Sequence, residues 1–321
     1  MWQLDSPEKN EEIRYSVFSR NAALTSTSTT DRFLDPAVLA KIQGLELRAK
    51  RVVEGYVTGL HRSPFHGFSV EFAEHREYVP GDDLRYVDWK VFGKTDKVYL
   101  KRFEEETNLL CYLLLDVSES MLYQGPGSPL SKLEYAQCLA ASLAYLVLYQ
   151  QDSVGLVTFA DEIRQKIRAS GNPTHLKDLL SVLEDASAEG KTHTGPIFHD
   201  LAERIKRRSI VVIISDLLDD VDSILAGLKH FRHRRHEVIV MHVLDRAEQE
   251  FPFNRVTLFK GLEQLPDVLT DPRSLRKAYL SEFDDYRRRL EAGCRAQGAD
   301  YVLVPTDRPL DKVLSAYLNQ R

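Results

Sequence analysis

Cysteine is scarce in this chain, three in 321 residues with no Cys-x-x-Cys pair, which excludes a disulfide-stapled scaffold and a thiolate zinc site. Cys111, Cys138 and Cys294 fall in one apolar strand pattern and two helical ones, so they are expected as small buried hydrophobes in a reducing compartment. Long hydrophobic runs are missing too: none approaches the ~18 apolar residues of a membrane helix. The amino terminus, Met1-Trp2-Gln3-Leu4-Asp5-Ser6-Pro7-Glu8, lacks the basic-then-apolar order of a signal peptide. The expectation is a cytoplasmic protein with no direct membrane insertion, attached to a membrane at most through a partner. Nor is there an excess of positive charge. With 43 Lys and Arg against 48 Asp and Glu, the net charge of -5 gives no global reason to bind nucleic acid.

Two further absences concern chemistry. Gly190-Lys191-Thr192 has the end of a phosphate-binding loop, but that loop needs a glycine at position 185, which is Asp. No Gly-x-Ser-x-Gly nucleophile elbow occurs, and there is no internal repeat of 20 to 50 residues.

What is present is a globular composition, 43% hydrophobic and 28% charged, in a chain long enough for one large α/β domain and a smaller module. Residues 1–34 are polar, with a Ser/Thr run from Thr25 to Thr30, and read as a loosely held arm without chemistry. Asp35-Pro36 is a helix start, with Val38, Leu39, Ile42 and Leu45 at helical spacing toward Val52. This helix and a β-rich module rich in Gly, Pro and aromatic residues make up 35–107. From 108 to 321 strand and helix patterns alternate. Strands are expected near 109–116, 153–159, 163–168, 210–215, 236–243 and 300–304. Helices are expected near 132–149, 174–184, 196–207, 221–233, 274–297 and 309–320.

Val211-Val212-Ile213-Ile214 and Val238-Ile239-Val240-Met241 are continuous apolar runs, the pattern of strands covered on both faces. A doubly wound, mainly parallel sheet follows. Only Ala160-Asp161-Glu162 joins the second and third strands, too short for a parallel crossover, so one edge strand should be antiparallel.

The most informative stretch is Leu113-Leu114-Leu115-Asp116-Val117-Ser118-Glu119-Ser120, an apolar strand ending in an acid and two alternating hydroxyls. Open α/β sheets expose their ligand crevice at the carboxyl ends of strands, so Asp116, Ser118 and Ser120 can converge there. Thr192 supplies a further hydroxyl, and Val211 to Ser215 is a second apolar strand that ends in Asp216. Taken singly, a strand-end acid caps the next loop. Taken together, five oxygen-bearing side chains suit Mg²⁺, Mn²⁺ or Ca²⁺. Asp245, just beyond another strand end, is an accessory candidate, while Asp219 and Asp220 read as solvated loop acids.

This Asp-x-Ser-x-Ser, then Thr, then Asp set resembles the metal-ion-dependent adhesion site of von Willebrand factor A domains. Gly55 to Pro64, Glu71 to Arg85 and Val87-Asp88-Trp89-Lys90 resemble the signature of the DUF58 family of bacterial proteins, the likeness running from about residue 45 to the end. The resemblance implies a von Willebrand factor A-like α/β fold with a small N-terminal β-rich module. It implies that Ser118, Ser120 and Thr192 bind the ion directly or through water, with Asp116 and Asp216 ligating it or accepting from its waters. It also implies a non-catalytic adaptor whose ion accepts an Asp or Glu from another protein, and work beside a MoxR-type AAA ATPase in assembling or remodelling complexes. Thr194, followed by Gly195-Pro196, departs from the apolar residue that relatives often carry there, which leaves Thr192 and Thr194 both open as the ligand.

Two other functions fit a strand-end acid. A metal-dependent phosphohydrolase would place a second Asp two residues after the first, where this chain has Ser118. A structural interaction domain with a vestigial metal site is the plainer alternative. His61, His66 and His75 with Glu71 and Glu74 have no zinc-site spacing and read as ion-paired loop residues. The basic run from His230 to His236 reads as a solvated helix end that complements the helix dipole.

Overall fold

The computed structural model describes residues 2–4, 45, 48–50, 52–53, 75–77, 99–101, 109–191, 193–262 and 266–318. The chain forms two compact units, Met1–Gly59 with Leu109–Arg321, and Leu60–Asn108. Trp2–Leu4, at the start of the stretch read as an arm, form strand β1. In the smaller unit β2 (His75–Glu77) pairs antiparallel with β3 (Tyr99–Lys101). Most of the Gly55 to Lys90 signature and the helix start at Asp35 lie outside the described residues. Leu45, Ala49 and Val52, from the helical pattern before that signature, pack into the core of the larger unit.

That larger unit is built on β4 (Leu110–Asp116), β5 (Ser153–Phe159), β6 (Ile163–Ser170), β7 (Ile210–Ser215), β8 (Glu237–Leu244) and, after an inserted hairpin of β9 (Thr257–Gly261) and β10 (Val268–Thr270), β11 (Asp300–Pro305). Their order is β11-β8-β7-β4-β5-β6. All neighbours are parallel except β6, which runs antiparallel to β5 at the edge. The three-residue turn before β6 leaves no other choice, as its length requires.

The helices that follow β4 among the described residues are α1 (Lys132–Tyr149), α2 (His175–Asp185), α3 (Thr194–Arg204), α4 (Val221–His233), α5 (Arg246–Glu250), α6 (Pro272–Ala296) and α7 (Leu310–Leu318). Local chemistry sets several starts. Ser131 and Glu134 form a capping box at α1, Asp220 caps α4, and Asp271 followed by Pro272 opens α6. Among the described residues no helix is long and apolar enough to cross a membrane.

Alternate residues of the strands feed two cores, which is what a doubly wound sheet requires. Leu113, Leu115, Val212, Ile214 and Met241 join Leu139 of α1 and Leu179 of α2 on one face. Leu114, Val157, Ile213 and Val240 join Phe198 of α3, Phe231 of α4 and Leu290 of α6 on the other. Each such aliphatic side chain contributes about 1.5–3 kcal/mol on burial. All three cysteines are buried and free, and burial pushes Cys111 and Cys294 up to about 12.

The hairpin β9–β10 and helix α5 have no counterpart among the elements expected from the sequence. The hairpin pairs with β1 through β9, and Phe259 of β9 packs with Phe251, Phe253 and Tyr279 in stacked and edge-to-face contacts, ring centroids 4.5–5.7 Å apart.

Candidate metal centre

The sheet reverses its winding direction between β4 and β7, and the carboxyl ends of those two strands open one crevice. Register places Leu115 beside Ile214, so Asp116 and Ser215 end their strands side by side. Asp116, Ser118, Ser120, Ser215 and Asp216 are all buried.

The β4 side is built from hydroxyls and backbone. Asp116 Oδ1 accepts from Ser118 N at 2.9 Å, and Oδ2 accepts from Ser215 Oγ at 2.5 Å. Ser118 ends the extended segment and begins a short 3₁₀ turn over Glu119–Leu122, which brings its Oγ within 3.0 Å of Ser120 Oγ. Asp116 is pushed up to about 7, first by burial and then by the like charge of Asp216, against the hydrogen bonds from Ser215 and Ser118. A carboxylate raised in this way gains from a nearby cation.

The loop that carries Thr192 is laced to this turn. Glu189 N donates to Val117 O at 2.9 Å and Glu119 N donates to Gly190 O at 3.1 Å, with Gly190 at φ +84° where glycine is favoured. Thr192 itself lies outside the described residues. Thr194 is buried at the start of α3, and both its N and its Oγ1 donate to Asp219 Oδ2 at 2.8 Å. Asp219, read as a solvated loop acid, is thus the group that caps α3.

The β7 side is built on an ammonium. Lys132, at the first position of α1, is fully buried, and its Nζ donates to Asp216 Oδ2 at 2.6 Å and to Glu248 Oε1 at 2.9 Å. Burial pulls the ammonium down, yet the charges of Asp216 and Glu248 outweigh it and hold Lys132 above its ordinary value. Glu248 is pushed up to about 7, chiefly by burial. It is presented by α5, whose capping box pairs Asp245 with Glu248.

Asp245 turns away from this pair. Its carboxylate accepts from Ala247 N, Gly125 N, Ser128 Oγ and Thr306 Oγ1 at 2.5–3.3 Å, so it caps α5 and ties down the loop before α1. Gly125 is required there, since a Cβ would stand 2.1 Å from Asp245 Oδ1.

Behind Asp216, His242 Nε2 donates to the Asp216 carbonyl at 2.9 Å, which leaves its Nδ1 to accept from Tyr301 OH at 2.6 Å. Burial holds this imidazole down near 4, so it is neutral. Leu217 follows in the left-handed region at φ 51°, an uncommon conformation for a bulky residue. Ser215 Oγ accepts its N–H at 2.8 Å and Tyr286 OH donates to its carbonyl, so the uncommon backbone conformation is held from both sides.

Among the described residues no three His, Cys, Asp or Glu side chains are grouped to hold a metal ion. An ion in this crevice would therefore rest on hydroxyls and water as much as on acids. The oxygen-only set of Asp116, Ser118, Ser120 and Asp216 fits a hard divalent cation such as Mg²⁺, Mn²⁺ or Ca²⁺. Spacing along the chain disclosed four of these groups. It missed Ser215, Lys132 and Glu248, which lie 99, 84 and 116 residues from the partners they bond.

The sequence model of the family described as "Protein of unknown function DUF58" matches residues 74–289. Uncharacterized proteins of Mycobacterium tuberculosis (Rv1480) and Mycobacterium bovis (Mb1516) are each 25% identical over 279 residues, covering 85% of this chain and 86% of theirs. Similar solved structures include the conserved hypothetical protein BatB from Bacteroides thetaiotaomicron, 17% identical with a TM-score of 0.46 over 66% of this chain and 98% of that one. Another is the SpRpn10 VWA domain, 15% identical with a TM-score of 0.38 over 67% of this chain and 96% of that one. As the sequence resemblance to a von Willebrand factor A-like fold implied, the sheet is six-stranded and mostly parallel with one antiparallel edge strand.

Proposed function

The chain belongs to the DUF58 family, and from that premise and the crevice we propose that it is a non-catalytic protein-interaction module that works through a divalent ion. The observation that carries this is the β4 side: a buried carboxylate raised by its neighbour Asp216, next to two hydroxyls 3.0 Å apart at the sheet's switch point. Asp116, Ser118, Ser120 and Asp216, with Thr192, would hold Mg²⁺, Mn²⁺ or Ca²⁺. The bound ion would supply a Lewis-acidic position for an Asp or Glu of another protein. Family resemblance supports a MoxR-type AAA ATPase as the machine it serves, and the three free, buried cysteines fit a reducing, cytoplasmic setting.

Binding rather than turnover is supported by what engages the neighbouring imidazole and the site hydroxyls. His242 faces the Asp216 carbonyl and Tyr301. Ser118 stands where a phosphohydrolase would carry its second Asp, and its hydroxyl is bonded to Ser120.

In the described state Asp116, Ser118, Ser120 and Asp216 are buried, so an outside carboxylate reaches an ion there only after local movement. That burial, with the grip of Lys132 on Asp216, favours one second reading: a structural interaction domain with a vestigial site. Melting the protein with and without Mg²⁺ separates the two. An adaptor with a working site gains about 2.7 kcal/mol at a hundredfold excess over Kd, and Asp116→Ala with Ser118→Ala loses the gain. A vestigial site gives no Mg²⁺ response in either protein. Capture of partners in Mg²⁺ against chelator then reports whether association follows the ion.

A further inference from the structure

We propose that the end of the sheet opposite the crevice is a docking face for an anionic lipid bilayer, held at the surface without insertion. β7 and β8 are parallel neighbours, so the loops that feed them, 205–209 after α3 and 234–236 after α4, meet at the amino ends of the strands. His236 Nε2 donates to the Ile205 carbonyl at 3.1 Å and Glu237 N donates to the Ser209 carbonyl at 3.0 Å, which ties the two loops together. Lys206, Arg207 and Arg208 thereby join Arg232, Arg234 and Arg235, all six exposed, in one basic rim. Arg234 is paired with Glu203, and Arg232 donates to the Ala296 carbonyl at 3.1 Å. The other four have no ion-pair partner among the described residues.

Two further observations point to a lipid surface. Helix α4 closes with Arg235 N donating to the Arg232 carbonyl at 2.8 Å and His236 N to the Phe231 carbonyl at 3.0 Å, which sets Arg235 in the left-handed region at φ 62°. Glycine usually fills that position because a side chain there strains the backbone, yet here it carries a cation. Apolar side chains share the rim. Register pairs Cys111 with Ile210, which puts Leu109, 37% exposed, level with Arg208. Its carbonyl accepts from Ser153 N at 3.0 Å, just beyond the end of α1, where Tyr149 is 69% exposed. Cations alone suit any polyanion, but cations beside an aliphatic and a tyrosine suit the headgroup layer, which takes apolar bodies with polar tips. The net charge of -5 confines the attraction to this face, and docking there turns the crevice away from the bilayer. Attachment is then direct, where composition alone pointed at most to a partner.

The test is flotation of the full chain with vesicles of phosphatidylcholine, alone or with about 30% phosphatidylglycerol, in chelator so that the metal site has no part in the outcome. The protein should float only with the phosphatidylglycerol vesicles and be released at about 0.5 M salt, which screens the charges. Arg207→Gln with Arg208→Gln should weaken binding about 25-fold, roughly fivefold for each charge. Arg235→Gly should weaken it about fivefold and yet melt higher, a pairing that a merely structural arginine would not give. Arg273→Gln, at the far start of α6, should leave binding unchanged. No flotation, equal flotation with phosphatidylcholine alone, or a loss in Arg273→Gln equal to that of the double variant overturns the face. With duplex DNA added at equal phosphate, protein that stays with the DNA and leaves the vesicles overturns the lipid assignment.

Discussion

Asp116 ends β4, Asp216 directly follows the neighbouring parallel strand β7, and the two are equally buried, yet the protein treats them in opposite ways. Asp116 is met by a serine hydroxyl and a backbone N–H and is left with its proton affinity raised to about 7. Asp216 is met by an ammonium at 2.6 Å. A neutral donor satisfies lone pairs but leaves the charge in place, whereas a cation cancels it. One crevice therefore holds a half with a buried counter-ion, the better balanced of the two, and a charge-hungry half, where an ion has most to gain.

The largest expected effect comes from breaking the balanced half. Lys132→Ala removes one partner of a buried ionic cluster and should destabilise the fold by about 3–5 kcal/mol in denaturant titration. Lys132→Met, with the stem's packing kept, should cost less. Equal losses for the two would assign the effect to the lost charge rather than to the cavity.

The hungry half should show itself in pH dependence. Between its ordinary value of 3.8 and about 7, native Asp116 holds a proton that the unfolded chain has released, so its contribution to stability falls as pH rises. Glu248, raised from 4.5 to about 7, acts in the same direction. His242 opposes both: lowered from 6.5 to about 4, it makes stability rise with pH across that interval. The net slope mixes all three, and Asp116→Asn isolates one. In chelator, the stability of Asp116→Asn relative to wild type should increase steadily from pH 4 to pH 7, and Mg²⁺ should shrink that increase by stabilising wild type. A constant difference across the range would show that Asp116 is not the raised group.

Smaller effects sharpen the division of hydroxyls. Ser215→Ala deletes the donor to Asp116 Oδ2 and should cost about 1–2 kcal/mol. Thr194→Val loses the bond to Asp219 that begins α3, at a cost of about 1 kcal/mol, while leaving the Mg²⁺ response intact. Loss of the Mg²⁺ response in Thr194→Val would move the ligand assignment from Thr192 to Thr194.

The legibility of this chain in sequence follows the range of the interactions. The strands Ser153–Phe159 and Ile210–Ser215 and the helices Lys132–Tyr149 and Val221–His233 begin and end where hydrophobic runs meet caps and turns, because those signals are local. The antiparallel edge followed from a three-residue connection. Helix α5 and the hairpin β9–β10 were not legible, since they are short and lean on an aromatic stack assembled from Phe251, Phe259 and Tyr279. In the site, Asp116, Ser118 and Ser120 were readable from one motif. Lys132 was not, because beside the capping serine it looks like an ordinary surface lysine of a helix start, and only the ends of β7 and β8 turn that position into the interior. Asp245, which spacing put at the border of the crevice, is occupied instead with four donors of its own surroundings.

The most direct test is diffraction at the manganese edge from crystals grown in Mn²⁺. A single anomalous peak within about 2.0–2.5 Å of the Ser118 and Ser120 hydroxyls, with Lys132 still bonded to Asp216, is the result expected. No peak in the crevice at saturating Mn²⁺, or an ion seated between Asp216 and Glu248 with Lys132 expelled, would contradict it.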